Sequence, residues 1–166
     1  FFLVEDETVK DFGLQKWAHP MFGRSDHCPG IIYDADQHQR NALNGKPTNF
    51  IWFQKDEKPR GKKVNSYIKL GEDEKLHERY KCRIRKPWYS VPSVYSTSSG
   101  MLKRCHDFPR IIFNKIEAFT TDTAYRIKTK NIDAPTLAYS FVNSLTALSA
   151  ELEGRHYGGG VLELVP

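Results

Sequence analysis

Cysteine is scarce in this 166-residue chain, and its placement excludes several kinds of site. Cys28, Cys82 and Cys105 are odd in number, widely spaced and never in a C-x-x-C pair. That removes the spacing of a zinc site, a redox motif or a disulfide framework. An odd count without a framework fits a reducing compartment, so the expected location is the cytoplasm. His19, His27, Cys28 and His38 follow no ligand spacing, and no metal is expected. Long hydrophobic runs are missing too. Nothing approaches the ~20 apolar residues of a membrane span, and the first residues lack a signal-peptide layout, so no membrane partner is expected.

Signatures of chemistry are equally absent. There is no phosphate-cradling G-x-x-x-x-G-K-[ST] loop, no G-x-G-x-x-G, no H-E-x-x-H and no G-x-S-x-G. Cys105-His106-Asp107 has the residue types of a nucleophilic constellation, but neighbours in sequence point in different directions and triads assemble from separated positions. No catalytic residue is assigned. Repeats and low-complexity tracts are absent. The chain opens on Phe1-Phe2-Leu3-Val4 without a methionine, which reads as a strand entered midway and leads us to expect a fragment of a larger protein.

What is present is a globular composition, with 39% hydrophobic and 13% aromatic residues. A chain of this length buries roughly 70% of its unfolded surface, and the expectation is one domain over residues 1–166. Lys and Arg number 25 against 20 Asp and Glu, a formal charge of +5. Such an excess carries meaning only where it is concentrated, because a local basic face attracts phosphate and a scattered one does not.

Strand signals run through most of the chain: Phe1 to about Val9, Ile31–Tyr33, Asn49–Phe53, Arg79–Arg85, Arg110–Asn114, Thr123–Lys128 and Val161–Leu164. Residues 34–48 read as a polar stretch with a turn at Asn44-Gly45. Leu137, Phe141, Leu145, Leu148 and Leu152 recur on one face of a 3.6-residue period and predict a long amphipathic helix over about 134–153. Asp133 is its expected N-cap, Pro135 suits its first turn, and Gly154 is expected to end it in a left-handed conformation. The fold class predicted is α+β: a mixed, mostly antiparallel sheet region with that helix near the C-terminus.

Three segments carry candidate binding residues. On a strand over Arg79–Arg85, Lys81, Arg83 and Arg85 share one face, with Trp88 and Tyr89 just beyond. Same-face spacing of about 6.6–7 Å suits successive phosphates, and the two rings suit stacking on a base or sugar. A solvated face neutralised by Glu72, Asp73, Glu74 and Glu78 fits the same residues equally well. Asn114 and the Thr120–Thr123 loop offer groups for base edges or phosphates, or equally for turn caps. Arg155 and Tyr157 flank Gly158, Gly159 and Gly160, which permit either close approach of a nucleic-acid backbone or a tight turn into the next strand.

Several stretches in order resemble the C-terminal target-recognition region of adenine-specific (N6) DNA methyltransferases of bacterial restriction–modification systems. Tyr67-Ile68 with Gly71-Glu72 matches an "YI-xx-GE" element. Tyr80–Tyr89 with Val91-Pro92 resembles "YKC-x-x-R-x-PWY-x-VP". Pro109–Asn114 resembles "PRLVLN", with the Thr120–Thr123 loop following. Leu145–Arg155 with Tyr157–Leu162 is similar to "SLTALSAELEGR-x-YGGGVL". Phe1-Phe2-Leu3 and Phe22-Gly23-Arg24 match shorter elements, and Ser25–Asn49 match none.

The resemblance implies a module that holds double-stranded DNA, reads a short site through one groove and presents a flipped adenine to a separate catalytic domain. It implies phosphate contacts from Lys81, Arg83 and Arg85. It implies phosphate or base contacts from Arg24, Asn114, Thr121, Asp122 and Thr123, and a nucleic-acid backbone along Arg155, Tyr157 and the three glycines. The family's Asn/Asp-Pro-Pro-aromatic signature and its Gly-rich cofactor motif are both absent. The chain itself is therefore expected to be no enzyme and to hold no cofactor, with S-adenosylmethionine and methyl transfer belonging to the parent's catalytic domain. The alternative is a docking module of a restriction–modification complex that touches a partner subunit and not DNA.

Overall fold

The computed structural model describes residues 1–54, 57–92, 94–106, 108–120 and 122–165. In chain order the strands are β1 (Leu3–Val4), β2 (Ala18–Pro20), β3 (Ile32–Tyr33), β4 (Asn49–Ile51), β5 (Tyr95–Ser96), β6 (Ser99–Leu102), β7 (Arg104–Cys105), β8 (Ile112–Asn114), β9 (Phe119–Thr120), β10 (Ala124–Arg126), β11 (Arg155–Tyr157) and β12 (Val161–Glu163). The helices are α1 (Asp6–Asp11), α2 (Ala35–Leu43), α3 (Lys62–Asp73), α4 (Tyr80–Arg83), α5 (Ala134–Phe141) and α6 (Ser144–Glu153). These elements form two compact units, Phe1–Met21 with Asn41–Val94, and Phe22–Arg40 with Tyr95–Pro166. The class is mixed α+β with small, mostly antiparallel sheets, as the sequence predicts.

In the first unit β4 lies between β1 and β2 in an antiparallel sheet. Val64, Tyr67 and Gly71 fall on one face of α3, and all three are buried. The α3 face joins Val4, Val9, Leu14, Trp17, Ile51 and Phe53 in a single core. Each such large side chain contributes about 1.5–3 kcal/mol on burial. The Tyr67 ring stacks on Phe1 with centroids 4.5 Å apart, and its hydroxyl donates to the Phe1 carbonyl. Burial pushes the Tyr67 phenol well above its ordinary value.

In the second unit the strand order is β10-β6-β8-β3, antiparallel except for the parallel β3–β8 pair. Phe22, Cys28, Tyr33, Leu102, Ile112, Ala118 and Ala124 fill its core. A second sheet, β11-β12-β7, packs a small cluster of Cys105, Leu162 and Ala150. The strands β5 and β9 pair separately.

Four expectations need correction. Residues 79–85 form no strand: Tyr80–Arg83 is the turn of helix α4, because only Cys82 is buried while Tyr80 and Ile84 stay 69% and 66% exposed. A strand needs a buried face, and one buried residue per turn suits a helix. The first strand stops at Val4, and helix α1 follows with Asp6 and Glu7 in its first turn, where carboxylates suit the helix dipole. The long helix over 134–153 is two helices, interrupted at Val142 and restarted by Asn143, whose side chain accepts from the Thr146 N–H. Asp133 does cap α5, accepting from Thr136 N–H, and Pro135 lies in its first turn.

Gly154 follows α6 in an extended conformation, φ −73°, rather than a left-handed one. Glycine is needed there for room: a Cβ would lie 2.4 Å from Leu162 Cδ1 and 2.6 Å from the Ala150 carbonyl oxygen. The periodic leucines also face outward. Leu145, Leu148 and Leu152 are 79%, 57% and 74% exposed, while Ala150, on the opposite side of α6, is its one buried residue among those described.

Candidate functional site

A cleft of about 490 Å³ opens in the second unit, and its walls come from four separate places in the chain. Gly23, Arg24, Ser25 and Asp26 form one wall, leading into a short 3-10 turn over Ser25–His27. Leu102, Lys103, Arg104 and His106 form the second, where the chain leaves β6 of one sheet and enters β7 of the next. Asp122 and Thr123 come from the loop before β10, and Glu163 from β12.

The sheet change at Lys103 fixes the geometry. Its N–H donates to the Thr123 carbonyl and its carbonyl accepts from the Leu164 N–H, both at 3.0 Å. Lys103 thereby ties the Asp122–Thr123 loop and the end of β12 to the second wall. Its ammonium lies 5.2 Å from the Tyr125 ring centre, and the Tyr125 hydroxyl donates to the Leu164 carbonyl at 2.8 Å.

Charges in the cleft are arranged in pairs. Arg104 donates to Glu163 at 3.1 Å and lies over the Tyr157 ring at 5.3 Å. A hydrogen bond from Tyr157, then one from Arg104, holds the Glu163 carboxyl below its usual range. Arg24 meets Asp26 at 3.1 Å, with both side chains largely exposed. Both arginines are largely exposed, so water screens these pairs and they add little to stability. Their consequence is chemical: forked donors, a lysine, an imidazole, two hydroxyls and three carboxylates line one cavity.

The first wall is anchored from below by Arg110, which is 4% exposed. Its Nη2 donates to the Ser25 carbonyl at 2.9 Å and to the Cys28 carbonyl at 2.6 Å, and its Nε to the same Cys28 carbonyl at 3.2 Å. Its Nη1 donates to the Phe108 carbonyl at 3.2 Å. Cys28 is buried beneath this loop, and desolvation pushes its thiol up to about 11.

Of the residues singled out in the sequence, the cleft brings together Arg24, Asp122 and Thr123. Thr121 lies outside the described residues. Asn114 is a correction: it is 2% exposed, and its carboxamide clasps a turn of its own chain. Oδ1 accepts from Ala118 N–H at 3.0 Å, and Nδ2 donates to the Ala118 and Thr97 carbonyls at 2.8 and 2.9 Å. Its carboxamide is thereby engaged by backbone groups of its own unit. Gly158, Gly159 and Gly160 make the exposed turn of the β11–β12 hairpin, with Tyr157 paired to Val161. Positive φ values of 77° and 74° require glycine at 159 and 160, whereas nothing lies within 4 Å of a Cβ at any of the three. Arg155 and Tyr157 are exposed on β11.

Lys81, Arg83, Arg85, Trp88 and Tyr89 belong to the first unit. Lys81 and Arg83 are exposed, and Arg85 is half-buried with its guanidinium 6.0 Å from the Phe2 ring centre. The two rings expected to stack on a ligand are instead packed within the unit. Trp88 lies 5.1 Å from Phe1 and 5.6 Å from Tyr89, and Tyr89 lies 5.3 Å from Phe53. Gly71 leaves the room: a Cβ there would stand 2.5 Å from Trp88.

Sequence reasoning missed Asp26, Lys103, Arg104, His106 and Glu163. The paired residues Arg104 and Glu163 are 59 positions apart, so no local pattern signals them.

A family model described as the type II methyltransferase M.Eco57I, C-terminal domain, matches residues 1–166, the whole chain. No curated protein and no solved structure gives a match. The chain belongs to this family of C-terminal methyltransferase domains.

Proposed function

We propose that this member of the M.Eco57I C-terminal family is the target-recognition domain of an N6-adenine DNA methyltransferase from a restriction–modification system. In this reading it positions duplex DNA for a separate catalytic domain, working in the cytoplasm. S-adenosylmethionine and methyl transfer belong to that catalytic domain. Adenine as the methylated base is carried by the sequence resemblance.

One observation carries the DNA reading: Arg24, Asp122 and Thr123, drawn from distant parts of the chain, line one cleft with Lys103, Arg104 and His106. Recognition of bases needs donors and acceptors presented together, since each base pair displays its own pattern of the two in the major groove. A small-molecule pocket is more often mainly apolar with few polar groups. No helix of the described residues is long and apolar enough to cross a membrane.

The test is selection from a pool of duplexes with a randomised central segment. Enrichment of one short motif by the protein supports base reading. Recovery of an unchanged pool from folded protein rejects it.

A second reading, docking onto a partner subunit without DNA contact, is favoured by the outward leucines of α6. Salt separates the two. Phosphate contacts weaken steeply as salt rises, and an apolar interface does not.

A further inference from the structure

We infer that the chain divides its DNA contacts between its two units: the first grips phosphates regardless of sequence through two basic segments, Lys58–Lys63 and Arg79–Lys86, and the second discriminates between sequences at its cleft. The inference rests on the DNA reading above and assigns it to separable residues.

The charge distribution carries it. The first unit has fifteen Lys and Arg against ten Asp and Glu, a net +5, and the second has ten of each, a net of zero. The whole positive excess of the chain therefore lies in the first unit. Within that unit it is gathered further. Residues 58–71 contain no acid, nor do residues 79–94, and the two basic segments hold nine of the unit's fifteen cations. The intervening Glu72, Asp73, Glu74 and Glu78 divide the segments.

These cations are also presented outward. Lys58, Arg60, Lys62, Lys63, Arg79, Lys81, Arg83 and Lys86 are exposed. Among the described residues, no carboxylate stands within ion-pair distance of Lys58, Arg60, Lys62, Lys63, Arg79, Arg83 or Lys86. Lys62 and Lys63 fall in the first turn of α3, which holds no acidic residue, so they add to the positive end of the helix dipole. Self-repulsion of this kind is relieved by a polyanion, whose bound counterions are released in exchange.

The cleft of the second unit has the opposite character. Asp26, Asp122 and Glu163 would repel a phosphate, and two of them already pair with Arg24 and Arg104. Carboxylates there suit a base edge that offers an exocyclic amine, the N4 of cytosine or N6 of adenine, beside acceptors that meet the arginines. The cleft thus adds little net attraction and much selectivity.

The experiment uses the full chain and two sets of charge-removing variants. The first set replaces Lys58, Arg60, Lys62 and Lys63 by Gln together, and separately Arg79, Lys81, Arg83 and Lys86. The second set comprises Asp122→Asn and Arg104→Gln. Each protein is checked by thermal melting, then measured for binding to a random-sequence duplex across a salt series and for motif enrichment from a randomised pool.

Each quadruple variant is expected to shallow the log–log salt slope by about 0.9 per phosphate contact removed, while enriching the same motif as the parent chain. The cleft variants are expected to keep the slope and lose or alter the motif. An unchanged slope in both quadruple variants, or cleft variants that lose slope and keep the motif, overturns the division while DNA binding stands. Absence of salt-dependent binding by the parent chain overturns the DNA reading itself, and the division with it.

Discussion

The guanidinium of Arg110 reaches the carbonyl of Cys28, 82 residues earlier in the chain, and holds it with Nη2 at 2.6 Å and Nε at 3.2 Å. Its other bonds go to the carbonyls of Ser25 and Phe108, so its buried charge is solvated by backbone oxygen in place of a carboxylate. The planar fork is what makes this possible, because one side chain supplies donors in several fixed directions. The loop so held is the one that presents Arg24 and Asp26 to the cleft.

Arg110→Met leaves three backbone carbonyls without their donor, and an expected loss of about 2–4 kcal/mol follows. Arg110→Lys recovers only part, since an ammonium cannot reproduce the fork. Urea unfolding checks both values, and equal stability of the Lys variant and the parent would show that charge alone suffices.

Two glycines at either end of one hairpin strand separate steric need from conformational need. Gly154→Ala places a methyl 2.4 Å from Leu162 and 2.6 Å from a carbonyl oxygen, and is expected to cost about 1–3 kcal/mol. Gly158→Ala meets nothing within 4 Å and has no positive φ, so its change is expected within about 0.5 kcal/mol. Thermal melts of the pair decide this, and a reversed order would contradict the packing of Gly154 against β12.

Stability is expected to fall on the alkaline side. Burial raises the Cys28 thiol from 9.0 to about 11, so the unfolded chain releases that proton first. The contribution is therefore complete below pH 9 and is lost as pH rises from about 9 to 11, on the order of 2–3 kcal/mol. The raised Tyr67 phenol acts in the same direction at higher pH. Unfolding free energies at pH 8 and pH 10.5 test this, and Cys28→Ala is expected to show the shallower decline.

The outward leucines of α6 make a fourth expectation. Replacing Leu145, Leu148 and Leu152 by Gln removes an exposed stripe and no core, so melting temperature and salt-dependent DNA binding are expected to stay unchanged. A sharp loss of stability would contradict the outward placement of the stripe.

Legibility in the sequence followed the locality of each interaction. Strands such as Asn49–Ile51 and Ile112–Asn114 carry their own β-branched and aromatic residues, and Asp133 caps a helix three residues away. The periodicity of residues 137–152 continues in phase across Val142, so it could not reveal that Asn143 starts a new helix. Nor could it tell which side faces protein, because the narrow β7–β12 surface accepts Ala150 and leaves the leucines outside. Helix α3 was hidden by Gly71, a poor helix former kept for the Trp88 ring. At the cleft, Arg24, Asp122 and Thr123 were legible through resemblance, while Lys103, Arg104 and Glu163 depend on a change of sheet that no local pattern records.

The proposed DNA reading requires the chain to hold a duplex through charge. The most direct measurement is fluorescence anisotropy of a labelled duplex with the full chain, repeated from low to moderate salt. A linear log–log decline is expected, with a slope of several units, one part of it for each phosphate neutralised. Folded protein that fails to bind at low salt, or binds with a slope near zero, would contradict it.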